Sequence, residues 1–240
     1  MELSNRLSKI IELCDSGDCV ADIGCDHAYV STGLVKNGSY KRAIACDINK
    51  GPLLSAKKCI SENKLDDYIE TRLSNGLSNI HAHEADTIVI AGMGGSLIKN
   101  IMDNGLDVLK TAKRIVLGPQ SEIAELRLYL YSTGFSVSDE CYIYDEDKYY
   151  QLIVCSYSGV IKKDIPEEYL SFGEKAIISR DPVLREFLLW RLSVLDKLIS
   201  GLQLQFEAVT NNDKKTRLEQ RITEIKNESG LLEKALKLVS

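Results

Sequence analysis

The sequence predicts an α/β fold: a largely parallel sheet with helices packed on it, an antiparallel hairpin at its end, and then an α-helical hairpin. Three observations carry this. Val20-Ala21-Asp22-Ile23-Gly24-Cys25-Asp26-His27-Ala28 reads as strand, tight turn and helix start, the first crossover of such a sheet. Short strand-like stretches at 42–47, 69–73, 86–90 and 115–117 follow it, the fourth strand at 86–90 unbroken and apolar, and helical patterns separate them. Beyond Gly159 the character changes to two long helices whose apolar residues recur at steps of three and four.

The bulk composition bounds the answer. A chain of 240 residues has room for one α/β domain and a smaller appendage, divided here as 1–159 and 160–240. With 44% hydrophobic and 27% charged residues it reads as a soluble globular protein. No apolar run approaches the ~20 residues that span a bilayer, and Met1-Glu2-Leu3-Ser4 lacks the basic and apolar regions of a signal peptide. A cytoplasmic protein without membrane contact is the expectation. The seven cysteines form no C-x-x-C pair, and several sit in apolar strands, so they read as reduced, buried thiols. His81 and His83 with Glu84 read as a polar loop rather than a metal site. The net charge of −5 does not advertise a nucleic-acid binder. Residues 160–240, however, carry 14 Lys/Arg against 13 Asp/Glu, a net of +1 beside −6 for the remainder, which permits a local basic face.

Taken in order, residues 4–14 place Leu3, Leu7, Ile10, Ile11 and Cys14 at helical spacing, with Ser4 as N-cap. Arg6 falls on the polar face, where solvent is the ordinary destination and a phosphate contact the sharper one. After the first strand, Gly24 lets the backbone turn sharply and a ligand approach. A dinucleotide fold would have G-x-G-x-x-G here; this chain has Asp26 at the second glycine position. A carboxylate there repels a diphosphate but suits a ligand bearing an ammonium and a sulfonium, so the loop favours S-adenosylmethionine over NAD. The helix that follows stops at Asn37-Gly38.

The second strand, 42–47, ends in Asp47, about the distance beyond Asp22 at which an acidic residue meets a ribose. Its two oxygens suit two ribose hydroxyls; the alternative is an N-cap for the helix from Leu53 to Asn63. The third strand ends at Ser74-Asn75-Gly76, where Asn75 matches an adenine edge or else serves the turn. The fourth, 86–90, runs into a loop Ala91-Gly92-Met93-Gly94-Gly95-Ser96, whose three glycines indicate close backbone approach by a ligand. A helix through Leu97–Met102 leads to the fifth strand and to Gly118-Pro119-Gln120-Ser121, with Gln120 a second polar group at the same crevice. The helix around Ala124–Leu130 is closed by Gly134, and 135–138 and 150–155 pair about a turn at Asp145–Asp147. A terminal antiparallel hairpin on a parallel sheet is the ending of methyltransferases rather than dehydrogenases. Pro166 and Pro182 then precede a helix from Val183 to Phe206, with Leu184, Leu188, Leu195, Leu198 and Leu202 in its seam and Arg191 in one slot. A second helix after 210–213 repeats the seam as Leu218, Ile222, Ile225, Leu232, Leu236 and Val239, with Ser229 between. The two form an antiparallel hairpin, serving either dimerisation or the holding of a large substrate. Lys214, Lys215 and Arg217 at its second helix are the place to look for phosphate contacts.

With these residues laid out, the chain resembles the bacterial tRNA (adenine-N1)-methyltransferase family TrmK, which acts on adenine 22 of tRNA. The matching stretches are Leu3-Ser4-Asn5-Arg6-Leu7, Asp22-Ile23-Gly24-Cys25-Asp26-His27-Ala28-Tyr29, Asp47 with Gly51-Pro52-Leu53, and Ala91-Gly92-Met93-Gly94-Gly95. The resemblance spans both parts of the chain. It implies a Rossmann-like class I methyltransferase domain with a C-terminal coiled-coil hairpin, S-adenosylmethionine as cofactor and tRNA as partner, in a monomer or weak dimer. Asp22, Gly24, Asp47, Asn75, Gly92 and Met93 would bind cofactor, and Arg6, Gln120, Lys214, Lys215 and Arg217 the RNA. One stretch departs from the family pattern: Gly118-Pro119-Gln120 stands where the family tends to have Gln-Pro-Asn, so the asparagine's role passes to Gln120 or Ser121.

The chemistry is compatible with these residues. Adenine N1 carries a free lone pair, so its attack on a sulfonium methyl needs no general base, and a carboxylate near the cationic product would stabilise charge as it develops. Asp26 is the candidate, with His27 orienting it; a helix cap beside a surface histidine is the alternative. The absence of an Asn/Asp-Pro-Pro-aromatic loop after the fourth strand argues against an exocyclic amine. Two other functions stay open: a cofactor-binding protein that recruits a partner through the hairpin, and a small-molecule methyltransferase.

Overall fold

The computed structural model describes residues 3–209 and 211–240. The chain divides into two compact units, Met1–Asp164 and Ile165–Ser240. The sequence placed the break at Gly159. Residues up to Asp164 go with the first unit, where the Lys162 N–H donates to the Tyr131 carbonyl at 3.0 Å.

The first unit runs α1 (Asn5–Leu13), β1 (Gly17–Ile23), α2 (Tyr29–Lys36), β2 (Tyr40–Asp47), α3 (Lys50–Glu62), β3 (Ile69–Leu73), β4 (Thr87–Met93), α4 (Gly95–Asn104), α5 (Leu106–Leu109), β5 (Arg114–Pro119), α6 (Ile123–Ser132), β6 (Phe135–Asp145) and β7 (Lys148–Tyr157). Its sheet has the order β3-β2-β1-β4-β5-β7-β6. The first five of these strands are parallel, and β7 pairs antiparallel with both β5 and β6. The chain reverses its direction of travel across the sheet between β1 and β4, so a crevice opens at their carboxyl ends. Val20, Ala21, Ile88, Val89, Ile90 and Ile115–Leu117 are buried at successive positions, as strands covered on both faces require.

Local chemistry sets the element ends. The Ser4 hydroxyl caps α1 by accepting the Leu7 N–H at 3.4 Å. Helix α3 starts at Lys50, three residues before the predicted Leu53, because Pro52 fits a first turn whose N–H groups need no helical partner. The predicted loop at 91–93 is strand: β4 carries a bulge between Ala91 and Met93 and still pairs Met93 with Pro119, which likewise extends β5 past Leu117. Glu146 and Asp147, both left-handed at φ 48° and 60°, make the two-residue turn that matches the twist of the β6–β7 hairpin.

One feature of the interior runs against the composition. In α6, Leu128 is exposed while Arg127 is fully buried, its Nε 2.6 Å from Glu140 Oε1 and its Nη2 2.7 Å from Gln151 Oε1. A guanidinium is tolerated there because a carboxylate and an amide oxygen meet it at hydrogen-bond distance.

The second unit comprises α7 (Glu167–Phe172), α8 (Glu174–Ile178), α9 (Pro182–Ala208) and α10 (Asn212–Val239). The two short helices were not anticipated. Asp181 caps α9 through the Val183 and Leu184 N–H groups with Pro182 in the first turn, and Asn211 caps α10. Leu184, Leu188 and Leu195 of α9 and Ile225, Leu232 and Val239 of α10 are buried along the seam, and Arg191 fills its slot by pairing with Glu228 at 2.7 Å. Toward the turn the seam loosens: Leu198, expected within it, is 42% exposed. Among the described residues no helix is long and apolar enough to cross a membrane.

The Arg127–Glu140 pair predicts a large single-site effect. Truncating Glu140 to Ala leaves a guanidinium in the interior without its carboxylate, and should cost about 3–5 kcal/mol. Urea unfolding of the two proteins measures this; a loss below 1 kcal/mol would mean that the pair is solvated.

Candidate active site

The turn after β1 is fastened to the end of β2. The Gly24 and Cys25 N–H groups both donate to the Cys46 carbonyl, each at 2.9 Å. Gly24 sits at φ 75°, so the position needs the conformational freedom of glycine, and a Cβ there would have to displace the Met93 Cε. The loop continues with Asp26 and Ala28, both left-handed at φ 45° and 54°, a conformation held by the Ala28 N–H donating to the Cys25 carbonyl at 2.7 Å.

Ala28 is the N-cap of α2 and no side chain caps that helix, so the capping role that was the alternative for Asp26 is not what its carboxylate does. The Asp26 side chain is largely exposed, with Oδ1 3.9 Å from His27 Nε2. The His27 ring lies nearly parallel to Tyr29, with centroids 5.1 Å apart. Asp22 is on the other side of the turn, buried, and accepts the Ser31 hydroxyl at 3.0 Å. Burial pushes its carboxyl up to about 6 in spite of the bonds from Ser31, which pull the other way.

Asp47 closes β2 at the rim of the same crevice, half-buried. Its Oδ1 accepts the Asn49 N–H at 2.8 Å, and its carbonyl accepts the Ser74 N–H at 2.9 Å. The N-cap of α3 is Asn49, so Asp47 does not cap that helix. Buried Ser74 holds the next turn: its hydroxyl donates to the Gly76 carbonyl at 2.8 Å and accepts the Asn79 N–H at 3.1 Å. Asn75 is thereby presented exposed, with its carbonyl taken by the Ser78 N–H. Beyond it, Glu84 binds Arg72 and the His81 N–H, which makes the His81–Glu84 stretch a structural loop. Among the described residues no group of three or more His, Cys, Asp or Glu could hold a metal ion.

Across the crevice the three glycines after β4 divide. Gly92, at φ 79°, has nothing within 4 Å of where a Cβ would stand. Gly94 and Gly95 are instead packed against Ser121 and Glu122, whose atoms a Cβ would meet at 2.5–3.3 Å. The expectation of ligand approach at all three therefore holds open space for Gly92 only; the other two are small because a neighbouring loop lies on them. Met93 is half-buried and leans over Gly24. Gln120 donates its N–H to the Met93 carbonyl at 2.9 Å and leaves its side chain exposed.

Arg6 is not on a solvated face. It is half-buried, its guanidinium 4.8 Å from the Tyr150 ring centroid and its N–H on Asp145 Oδ2 at 3.2 Å. Lys214, Lys215 and Arg217 lie in the first turns of α10 in the second unit, with Lys215 Nζ 5.3 Å from the Phe206 ring. The sequence reading missed Ser31, Ser74 and Glu122. Ser74 and Glu122 follow the ends of β3 and β5, whereas Ser31 lies in the first turn of α2.

An open sheet of five parallel strands closed by an antiparallel pair, a glycine turn pinned to the neighbouring strand and an acidic residue ending that strand define a Rossmann-like class I methyltransferase fold; residues 3–153 match the family model described as a methyltransferase domain. The tRNA (adenine(22)-N(1))-methyltransferase of Bacillus subtilis is 38% identical over 154 residues, which are 64% of this chain and 65% of that relative's length. The solved B. subtilis m1A22 tRNA methyltransferase TrmK superposes with a TM-score of 0.78 at 28% identity, covering 98% of this chain and 99% of the other. M. capricolum TrmK, solved with the cofactor product S-adenosyl-homocysteine, gives a TM-score of 0.74 at 30% identity, covering 97% and 100%. The chain belongs to the TrmK family. Its crevice fits that cofactor type: open backbone at Gly92, a carboxylate at Asp47 and a turn at Gly24 with no second glycine for a diphosphate.

Asp22 makes the fold pH-dependent in a definite direction. Its folded pKa of about 6 lies above the ordinary ~4 of an unfolded aspartate, so its contribution favours the fold below about pH 4 and is lost as pH rises through 6. The penalty above that range is at most about 3 kcal/mol. Asp22→Asn removes the titration but keeps an acceptor for Ser31. The stability of wild type relative to this variant should therefore increase as pH falls from 7 to 4.5; denaturant titrations at both ends check it, and a flat difference would refute the buried-carboxyl account.

Proposed function

We propose that this chain methylates N1 of adenine 22 in tRNA, with S-adenosylmethionine as methyl donor. The observation that carries the reading is the crevice at the β1/β4 switch point, where the pinned Gly24 turn faces the open backbone of Gly92 with Asp47 at its rim. When bound there, the cofactor supplies an electrophilic methyl group on a sulfonium. Asp47 receives the ribose hydroxyls, Asn75 the adenine edge, and the backbone around Gly24, Gly92 and Met93 the remainder. Asp22, buried beneath the turn, supports it through Ser31.

The acceptor's N1 already has its lone pair, so no side chain has to remove a proton before attack. What the protein supplies is alignment and a negative charge for the product cation. Asp26, exposed on a strained turn with no helix-capping task, suits that second role, and His27 stacked on Tyr29 orients it. The helical hairpin holds the RNA body. A tRNA substrate sets the reaction in the cytoplasm.

Incubation with labelled cofactor and unmodified tRNA, followed by mapping of the modified base, tests the assignment; cofactor binding without transfer to any tRNA would refute it. Asp26→Asn keeps the shape and removes the charge. Its single-turnover rate at saturating tRNA should fall by about 10²-fold with cofactor affinity little changed, because the charge acts on the transition state. An unchanged rate would take Asp26 out of the chemistry. Replacing Lys214, Lys215 and Arg217 together by Ala should weaken tRNA binding and flatten its salt dependence. An unaltered salt slope would make this cluster a solvated helix face.

A further inference from the structure

The loops that follow β4 and β5 are stitched together beyond the last strand pair. The Gln120 N–H donates to the Met93 carbonyl at 2.9 Å, and the Gly95 N–H to the Ser121 carbonyl at 2.9 Å. Two more bonds converge on one carboxylate oxygen: Glu122 Oε2 accepts the Ser96 N–H at 3.2 Å and the Ser121 hydroxyl at 3.1 Å. Glu122 itself is held in the left-handed region at φ 51°, which a residue with a Cβ adopts only when its surroundings impose it.

The opposite partner explains why such a fastening is needed. Helix α4 opens with Gly94 at its N-cap and Gly95 in its first turn, and has no capping side chain of its own. Two adjacent glycines have the greatest backbone freedom of any pair, and the first N–H groups of a helix have no intrahelical acceptor. Gly95 cannot be replaced to stiffen the segment, because a Cβ there would stand 2.5 Å from the Glu122 carbonyl oxygen and 2.7 Å from that of Ser121. Close approach of the two loops thus requires flexible residues, and the approaching loop supplies the acceptor that restrains them. Gly92, open where Gly94 and Gly95 are packed, lies two residues before this junction.

We infer that Glu122 is a positioning residue for methyl transfer: its acceptor oxygen locks the start of α4 to the β5–α6 loop and so fixes the Gly92–Gly95 backbone that borders the crevice. This rests on the methyl-transfer reading of that crevice. It also gives the departing Gly118-Pro119-Gln120-Ser121 stretch a task, which is to hold the glycine loop through backbone and Ser121 contacts while the Gln120 side chain stays exposed.

The test compares Glu122→Ala with Glu122→Gln, which keeps an oxygen acceptor and removes the charge. In the Ala variant the Ser96 amide should exchange its hydrogen faster, and the single-turnover rate at saturating tRNA and cofactor should fall by about 10- to 100-fold, as for a displaced reaction geometry. Because that backbone also borders the cofactor, cofactor affinity measured by calorimetry should weaken by a smaller factor than the rate falls, and the Gln variant should recover exchange protection, rate and affinity. An Ala variant as fast as wild type, a Gln variant as slow as Ala, or a loss of cofactor affinity in step with rate would each overturn the inference. If the wild-type protein methylates no tRNA, the proposed function fails, while the exchange of the Ser96 amide still decides the latch: unaltered exchange in the Ala variant overturns it, and faster exchange restored by Gln supports it.

Discussion

The crevice depends on one acceptor, the Cys46 carbonyl, which receives two N–H groups from the turn after β1. Two bonds on one oxygen force the chain to fold over the end of β2 at once, and that requires the left-handed φ of Gly24. The residue after Cys46 is Asp47, so the constraint that shapes the turn also sets the carboxylate beside it. The pattern is repeated along the edge of the sheet. The Asp47 carbonyl takes the Ser74 N–H, and the Met93 carbonyl takes that of Gln120. Each of these strand ends is tied to the loop of its neighbour by a backbone bond, which is how loops acquire the rigidity of the scaffold beneath them.

Such tying carries local costs that the surrounding structure absorbs. Asp26, Ala28 and Glu122 all occupy the left-handed region without being glycine, each at the mouth of the crevice. A buried carboxylate at Asp22, raised to about 6, holds the first turn of α2 through Ser31 where no N-cap side chain does so. The thiols nearby contribute nothing reactive: burial pushes Cys14 and Cys46 up to about 12, so they remain protonated apolar filler.

What the sequence revealed and what it hid follow from how local each signal is. The central parallel strands were legible because a strand covered on both faces must be apolar at every position, and few other contexts demand that of four or five residues in a row; β3, Ile-Glu-Thr-Arg-Leu at the sheet edge, lacks that signal. Asp47 and Gly24 were legible for the same reason: each is the residue at which such a run breaks. The glycines at 94 and 95 were misread because a small residue answers equally to a ligand or to another loop, and the loop in question lies more than 25 residues away. Arg127 was invisible as a core residue. Its acceptability rests on Glu140 in one strand and Gln151 in another, neither of which helical spacing can reveal. The coiled-coil seam was legible in register but not in tightness, since Arg191 fills its slot by an ion pair to Glu228 that a list of apolar positions omits.

The division of labour within the crevice has a chemical logic. On the cofactor side nearly every fixed element is backbone: the turn at Gly24, the carbonyls of Cys46 and Asp47, the open stretch at Gly92. Main-chain groups cannot titrate or change rotamer, which suits a ligand whose recognition must not vary. On the proposed acceptor side the exposed groups are side chains, Asp26 and His27 on a strained turn, with His27 stacked on half-buried Tyr29. A ring nitrogen with a free lone pair asks for little from them, neither a base nor a clamp for an amine, only a charge and a surface. A site with few side chains is therefore what this chemistry calls for, and its precision has to come from the loops. That places the burden of accuracy on bonds such as those from Ser96 and Ser121 to Glu122, remote from the reacting atoms but fixing the backbone that surrounds them.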